Sequence, residues 1–340
     1  MSRSRKNRKP GRPTPIIILL LMVIGLGLFG IHFWERREQL REAEIVVEYD
    51  DPILGAETAS ITVDERSYTL RRNLDTFLLI GLDKVTGTLS DPGNYTNNKQ
   101  ADFLFLIVLD HGDRSYCAIH LNRDAMTEIQ RLGMSGKKIG VFTGQLALSH
   151  TYGSGGKDSC RNTVKAVSHY LLDIPVEHYF SLTMDAIPVL NDLVGGVVVH
   201  IDDDFSAIDP SLELGKDIRL RGQQALTFAR TRYSVDDSSN LSRMNRQRAY
   251  LYGLHQQLTE KLAADNGFGA RLISRLADFN VTDLTSDDLM ALSEKIKGYQ
   301  FTGIRSIQGQ AVLGEKYMEF YTDESDLQQL VLDVFYNPAG

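Results

Sequence analysis

The 340-residue chain has only two cysteines, Cys117 and Cys160, and it carries none of the short motifs of the commonest nucleophilic or zinc-dependent hydrolases. Two cysteines allow at most one bridge, which excludes a disulfide framework. One lies in the strand-like string SYCAIHL and the other at the start of an apparent helix, so a single disulfide and two buried thiols are both open. No G-x-S-x-G elbow, Walker phosphate loop or H-E-x-x-H string occurs, and neither cysteine has a convincing histidine partner in the sequence. Acyl transfer by an activated nucleophile and zinc-assisted hydrolysis are therefore set aside. Internal repeats and low-complexity tracts are absent beyond a basic N-terminal tail, which excludes a solenoid.

Positive charge is also scarce, except at the N-terminus. Arg3, Arg5, Lys6, Arg8, Lys9 and Arg12 precede the apolar run Ile16 to Phe33, eighteen residues without a charged side chain. That length just spans a bilayer, and the preceding cations keep the N-terminus cytoplasmic while everything downstream is exported. No Ala-x-Ala cleavage site follows, so the run reads as an uncleaved signal anchor rather than a removed signal peptide. Without those six cations, 31 Lys and Arg face 44 Asp and Glu, a formal charge of −13 over residues 13–340. So acidic a domain excludes general nucleic-acid binding, which needs a broad positive field.

Against that background, residues 219–248 hold seven arginines and no lysine: Arg219, Arg221, Arg230, Arg232, Arg243, Arg246 and Arg248. The planar guanidinium fork matches phosphate or carboxylate oxygens two at a time, whereas lysine is a mobile point charge. A surface helix kept soluble by arginine is the bland alternative; spacing favours a built anion site. Arg230 and Arg232, two apart, would face the same way in extended backbone and straddle a diphosphate. Asn240, Arg243 and Gln247 form one helical stripe with Arg246 beside it, while Arg248 points off the stripe as a solvated bystander. Two aspartates, Asp83 closing LLIGLD and Asp102 opening ADFLFLIVLD, offer hard oxygen ligands for Mg²⁺ or Mn²⁺, with turn or capping duty as the alternative. Asn122, Arg123 and Asp124 end a further strand at what would be the same crevice. His150, in LSHTYG, reads as a helix-end histidine satisfied by backbone.

Apolar runs of strand length alternate with helix-like segments from Asp75 onwards, which predicts an α/β fold, a layered central β-sheet flanked by helices on both faces. Helices are expected over 159–173, 184–195, 240–264, 267–278 and 285–297, with strands at YQFTGIRSI and KYMEFYT and a closing helix in ESDLQQLVLDVFY. The partition is a cytoplasmic tail 1–15, a transmembrane anchor 16–33, a stalk and entry segment 34–74 and one extracytoplasmic domain 75–340.

The strings LLIGLDK, NRDAMTEI, SHTYGSGG, LDIPVEHYFSLTMDAIPVLNDLVGGVVVHI, RGQQALTFARTR and SRMNRQR, in this order and spacing, resemble the LytR-CpsA-Psr family of cell-envelope glycopolymer ligases. The resemblance runs from about Asp75 to Leu254 and more loosely to the C-terminus. It implies that Asp83 and Asp102 hold Mg²⁺, that Arg123, Arg230, Arg232, Arg243 and Gln247 hold the diphosphate of a polyprenyl-linked glycan, with Arg246 beside them, and that the lipid tail fills an apolar tunnel. The implied reaction is a phosphotransferase one, moving a phospho-glycopolymer to a peptidoglycan sugar hydroxyl on the outer side of the membrane, with Asp102, Arg123, Arg230 and Arg232 as the catalytic groups. A diphosphate hydrolase and a non-catalytic lipid-binding envelope regulator are the rival readings. Three departures stand out: Gln100-Ala101 where the family shows Arg-Ser or Arg-Thr before the aspartate, Asn122 where it shows proline, and Asn240 where an aspartate is frequent.

Overall fold

The computed structural model describes residues 60–83, 99–133, 135–265, 267–295 and 298–339. The basic tail, the expected anchor at 16–33 and most of the entry segment lie outside these residues. Among the described residues, no helix is long and apolar enough to cross a membrane.

The chain forms strands β1 (Ser60–Val63), β2 (Arg66–Leu70), β3 (Leu74–Leu82), β4 (Ala101–Asp110), β5 (Ser115–Leu121), β6 (Met126–Leu132) and β7 (Lys138–Gln145), then helices α1 (Leu148–Thr151) and α2 (Gly156–Tyr170). There follow β8 (His178–Thr183), α3 (Ala186–Leu193), β9 (Val198–His200), β10 (Asp217–Arg219), α4 (Gln223–Arg230), α5 (Asn240–Ala264), α6 (Phe268–Leu276) and β11 (Asn280–Thr282). The chain closes with α7 (Ser286–Lys295), β12 (Gln300–Arg305), β13 (Gly309–Leu313), β14 (Met318–Thr322), α8 (Glu324–Phe335) and β15 (Tyr336–Pro338).

Six strands build the central sheet in the order β11-β8-β3-β4-β5-β12. It is mixed: β3, β4 and β5 are antiparallel neighbours, whereas β8 runs parallel to β3 and β12 parallel to β5. Both faces are apolar, as the uninterrupted runs predict. Leu78, Ile80, Leu82, Leu104, Leu106 and Val108 pack on the face covered by α2 and α8. The alternate residues Phe77, Leu79, Phe105, Ile107 and Leu109 face the other way, with Leu251 of α5 and Leu292 of α7 packed against them. A further apolar cluster joins α3, α4, α5 and α6. Residues of the expected entry segment belong to this framework: β1 and β2 form a hairpin whose second strand pairs with β15, joining the two ends of the described chain.

One helix was not foreseen. RGQQALTFAR, taken as leading into extended arginine-bearing backbone, is helical through Arg230, and its buried Ala225, Leu226, Phe228 and Ala229 sit at the spacing of an apolar helical face. Thr231, just past the helix end, is extended. Both cysteines are free. Burial pushes the Cys117 thiol up to about 11 and the Cys160 thiol up to about 12, which makes both poor nucleophiles.

A candidate anion site at the head of an apolar tunnel

Because β3 and β4 are antiparallel, the end of one and the start of the other lie at the same edge. The register breaks there: Gly81 faces Phe103, but Leu82 faces Ala101, so Asp102 is an extra, unpaired residue on β4. Such a bulge re-aims a side chain that the pleat would otherwise commit to one face of the sheet. Gly81 is required at this crossing, since a Cβ there would stand 2.7 Å from Cβ of Phe103. The two aspartates picked out from the sequence thus converge, and each meets an arginine. Nη2 of Arg230 lies 2.6 Å from Oδ1 of Asp83, and Nη1 of Arg123 pairs with Oδ1 of Asp102.

Arg123 leaves β5 just beyond its last residue and is gripped on three sides. Besides Asp102, its Nη2 donates to Oε1 of Gln100 at 2.5 Å and its Nε lies 3.3 Å from Oδ1 of Asp124. Asp124 was noted only as a strand-end residue, yet it organises the site. Buried at 3% exposure, it also lies 3.8 Å from Nη1 of Arg232 and accepts from Nε2 of Gln145. The acidic neighbour of Arg123 in NRD was the only signal available in the sequence.

The arginine pair straddles the end of α4 instead of an extended strand. Arg230 reaches Asp83, whereas Nε of Arg232 donates to the carbonyl of Ser238 at 3.1 Å, closing the loop that leads into α5. That 25-residue helix begins with Ser239 as its cap, accepting from the Ser242 N–H, and has no acidic residue in its first turn. Its positive dipole end and Arg243 therefore stand unbalanced at the site. Arg243 is 4% exposed, donates to Oδ1 of Asn240 at 2.6 Å, and its Nε has no hydrogen-bond partner among the described residues. Burial first, then the guanidiniums of Arg123, Arg232 and Arg246, hold its pKa below the ordinary arginine value, with Asp124 opposing them. Buried, crowded cations of this kind are stabilised by a bound anion.

The three departures from the family pattern sit around these same arginines. Gln100 accepts from Arg123; Asn240 donates to Oδ1 of Asn122 at 2.6 Å and accepts from Arg243. An aspartate at 240 has no donor for Asn122, so the amides at 122 and 240 function as a pair.

Other sequence expectations divide. Gln247 joins the site edge, its Nε2 donating to the carbonyl of Ala229 at 3.2 Å. Arg246 does not: its guanidinium is turned into the protein, donating to the carbonyls of Phe228 and Thr231, to Oγ of Ser242 and to Asp203. All three nitrogens have protein acceptors, so Arg246 pins the end of α4 to α5 and is removed from the expected diphosphate-binding set. Arg219 and Arg221 donate to the carbonyls of Gly196 and Gly195, away from the site. Arg248 is half-buried rather than solvated and bonds Asn245. His150 is held by the Lys99 carbonyl at 3.1 Å, as its backbone-satisfied reading predicts.

Beneath the arginines opens an apolar tunnel. It runs between the sheet, through Leu79, Phe103, Phe105 and Ala118, and the helices, through Ile187, Leu190, Leu251 and Leu254. Ala229 and Gln247 also line it, which places its head beside Arg230 and the α5 stripe. Among the described residues no group of three or more histidines, cysteines, aspartates or glutamates gathers to hold a metal ion.

The chain is similar to polyisoprenyl-teichoic acid–peptidoglycan teichoic acid transferases TagU. It is 27% identical over 280 residues to that of Enterococcus faecalis, covering 82% of this chain and 79% of the relative. It is 25% identical over 339 residues to that of Bacillus licheniformis, covering 97% and 96%. Among solved structures it shares its fold with TagT bound to LI-WTA (TM-score 0.56, 19% identity, 77% of this chain and 90% of that one). B. subtilis TagV matches equally well (TM-score 0.56, 21% identity, 78% and 97%). The model of the LytR_cpsA_psr family matches residues 47–332, and with most of its length so matched the chain belongs to the LytR_cpsA_psr family.

Proposed function

We propose that this protein is a membrane-anchored, extracytoplasmic phosphotransferase that moves a phospho-glycopolymer, such as a teichoic acid or capsular chain, from a polyprenyl-diphosphate carrier to a peptidoglycan sugar hydroxyl. The observation that carries the reading is the convergence of Arg123, Arg230, Arg232 and Arg243 at the head of an apolar tunnel. A diphosphate on a long hydrocarbon needs both parts, and neither part alone requires the other. The relatives named as teichoic acid transferases support the same chemistry.

The tunnel holds the polyprenyl chain and fixes the phosphorus atoms at its mouth, while the guanidiniums neutralise the charge that accumulates on the transferring phosphoryl group. The acceptor hydroxyl oxygen attacks the phosphorus bearing the glycan. The bond to the bridging oxygen breaks, polyprenyl monophosphate departs with that oxygen, and the hydroxyl proton passes to a site carboxylate. Asp83 and Asp102 suit Mg²⁺, with Mn²⁺ as a substitute, because such ions bind one or two carboxylates and complete their shell with phosphate oxygens. When bound, the ion would polarise the phosphoryl oxygens. The apolar run 16–33 places the domain at the membrane surface where its lipid substrate resides.

Mass spectrometry of lipids extracted from the purified protein, compared with an Arg230→Ala, Arg232→Ala double variant, tests the ligand class. A polyprenyl phosphate or diphosphate is expected in the parent alone, and equal lipid in both would remove the head group from the arginines. Product analysis with and without peptidoglycan then decides the acceptor. Cleavage only to water marks a hydrolase, and binding without cleavage under any metal condition marks a regulator.

The tunnel has its own test. Leu251→Trp on α5 fills the lumen, and overpacking of this kind costs about 1–3 kcal/mol, which a domain of this size tolerates. Co-purifying lipid should fall by at least about tenfold, corresponding to about 1.4 kcal/mol. Undiminished lipid would place the hydrocarbon elsewhere.

A further inference from the structure

The hairpin of β13 and β14 is fastened beside the anion site. The Phe320 N–H donates to the carbonyl of Asp124 at 2.9 Å, Nε2 of Gln145 donates to the carbonyl of Met318 at 2.6 Å, and the Tyr170 hydroxyl meets Oγ1 of Thr322 at 2.7 Å. Asp124 is also the residue whose carboxylate lies against Arg123 and Arg232, so the hairpin and the arginines share one support.

Successive strand residues point to opposite faces. Phe320 turns inward and is 1% exposed, so Tyr317, Glu319 and Tyr321 form a row on the outward face. Tyr317 is 70% exposed, Tyr321 51%, and Val312, opposite Glu319 on β13, 46%. The Tyr321 hydroxyl donates to Oε2 of Glu319 at 2.7 Å. On its other side the carboxylate rests against Gly314, where a Cβ would collide with it, and the Gly314 N–H donates to the Tyr317 carbonyl at 2.9 Å. The row therefore presents two open rings, about 13 Å apart along the strand, with a fixed carboxylate between them.

Rings flanking a carboxylate suit a chain of pyranoses, whose C–H faces pack on aromatic rings and whose hydroxyls donate to carboxylate oxygens. We propose that this face docks the glycan strand of the acceptor, while a hydroxyl of the same polymer reaches the phosphorus at the arginines. The inference rests on the transferase reading of the site. Charge decides between the two glycans of that reaction. Over residues 309–324 the acidic groups are Glu315, Glu319, Asp323 and Glu324, and Lys316 is the sole cation. A phospho-glycopolymer is a polyanion that such a surface repels, whereas an uncharged sugar chain meets no such penalty. Binding the acceptor away from its reacting hydroxyl also supplies energy for holding that hydroxyl in place.

The test uses the full-length protein in detergent micelles, with chitotetraose, an uncharged chain of N-acetylglucosamine, as the probe. An NMR titration should show binding to the parent and a weakening of at least about tenfold in a Tyr317→Thr, Tyr321→Thr double variant. Threonine keeps strand propensity, so the Tm should match the parent's. Tyr317→Phe, Tyr321→Phe retains both rings and should bind within about threefold of the parent. If the threonine double variant unfolds, Tyr317→Thr alone, just outside β14, should still weaken binding by about threefold or more. In turnover with peptidoglycan, the threonine variant should raise KM for the acceptor while kcat and the binding of geranylgeranyl diphosphate stay within about twofold of the parent. A lower kcat at unchanged acceptor KM, equal chitotetraose binding by parent and threonine variant, or no binding by the parent would overturn the proposal. Tyrosine-dependent binding of soluble polyglycerol phosphate would give the face to the donor, and a dimer abolished by the threonine variant would give it to a second copy; either result overturns it too. Tyrosine-dependent chitotetraose binding by a parent that transfers its glycan only to water would support the docking face and overturn the transferase reading, which tells the two failures apart.

Discussion

Arg243→Met should lower the turnover of a polyprenyl-diphosphate substrate by at least about a hundredfold in kcat/KM, about 2.7 kcal/mol, while leaving the protein as stable as the parent or more so. Both halves follow from the same geometry. Arg243 is buried, its Nε is unpartnered, and three other guanidiniums depress its pKa. A base whose folded pKa lies below its unfolded value loses stability by carrying its charge in the folded state, at every pH where the unfolded side chain is protonated. Methionine removes that cost and keeps most of the packed stem. The ligand reverses the sign, because an anion converts crowded cations from a liability into the binding energy of the site. Thermal unfolding with and without the prenyl diphosphate separates the two effects: the parent should gain more in Tm on adding ligand than the variant does. A variant that unfolds earlier than the parent and binds equally well would show that Arg243 holds the helix start and not the ligand.

The residue types of the site were legible in the sequence because arginine without lysine in an acidic domain is chemically specific. α5 was predicted from Asn240 to Ala264 and occupies those residues. Position was harder to read. The i, i+2 spacing of Arg230 and Arg232 suggested a strand, yet the apolar pattern through Ala225 and Ala229 was that of a short helix, and burial of that face decides the local structure. The bulge at Asp102 belongs to the pairing of two strands and leaves no trace in either one alone. Asp124 stood beside Arg123 in plain view, but its hold on Arg232 across the fold depends on where α4 ends. The expected anchor is the reverse case: hydropathy and charge point to it, and it lies outside the described residues.

Arg246→Ala, three residues from Arg243 on the same helix, should fail in the opposite way: a loss of about 3–5 kcal/mol in stability, with its effect on binding only a consequence of the displaced loop. Three residues along a helix leave two side chains about 60° apart, so the elements packed against Arg246, and not the helix rotation alone, turn it into the protein. Arg246 is 5% exposed, pairs with Asp203, caps the carbonyls of Phe228 and Thr231 and lies over the ring of Phe205 at 5.6 Å. Alanine leaves a largely buried carboxylate without its cation and two carbonyls without a donor, each a recognised source of large destabilisation. Chemical denaturation should report the loss directly, and Tm should fall by roughly 10 °C for a domain of this size. Arg246→Lys should recover only part of it, since one ammonium cannot reproduce a fork that serves four acceptors. If Arg246→Ala unfolded like the parent and lost binding as Arg243→Met does, Arg246 would return to the diphosphate-binding set in which its sequence position first placed it.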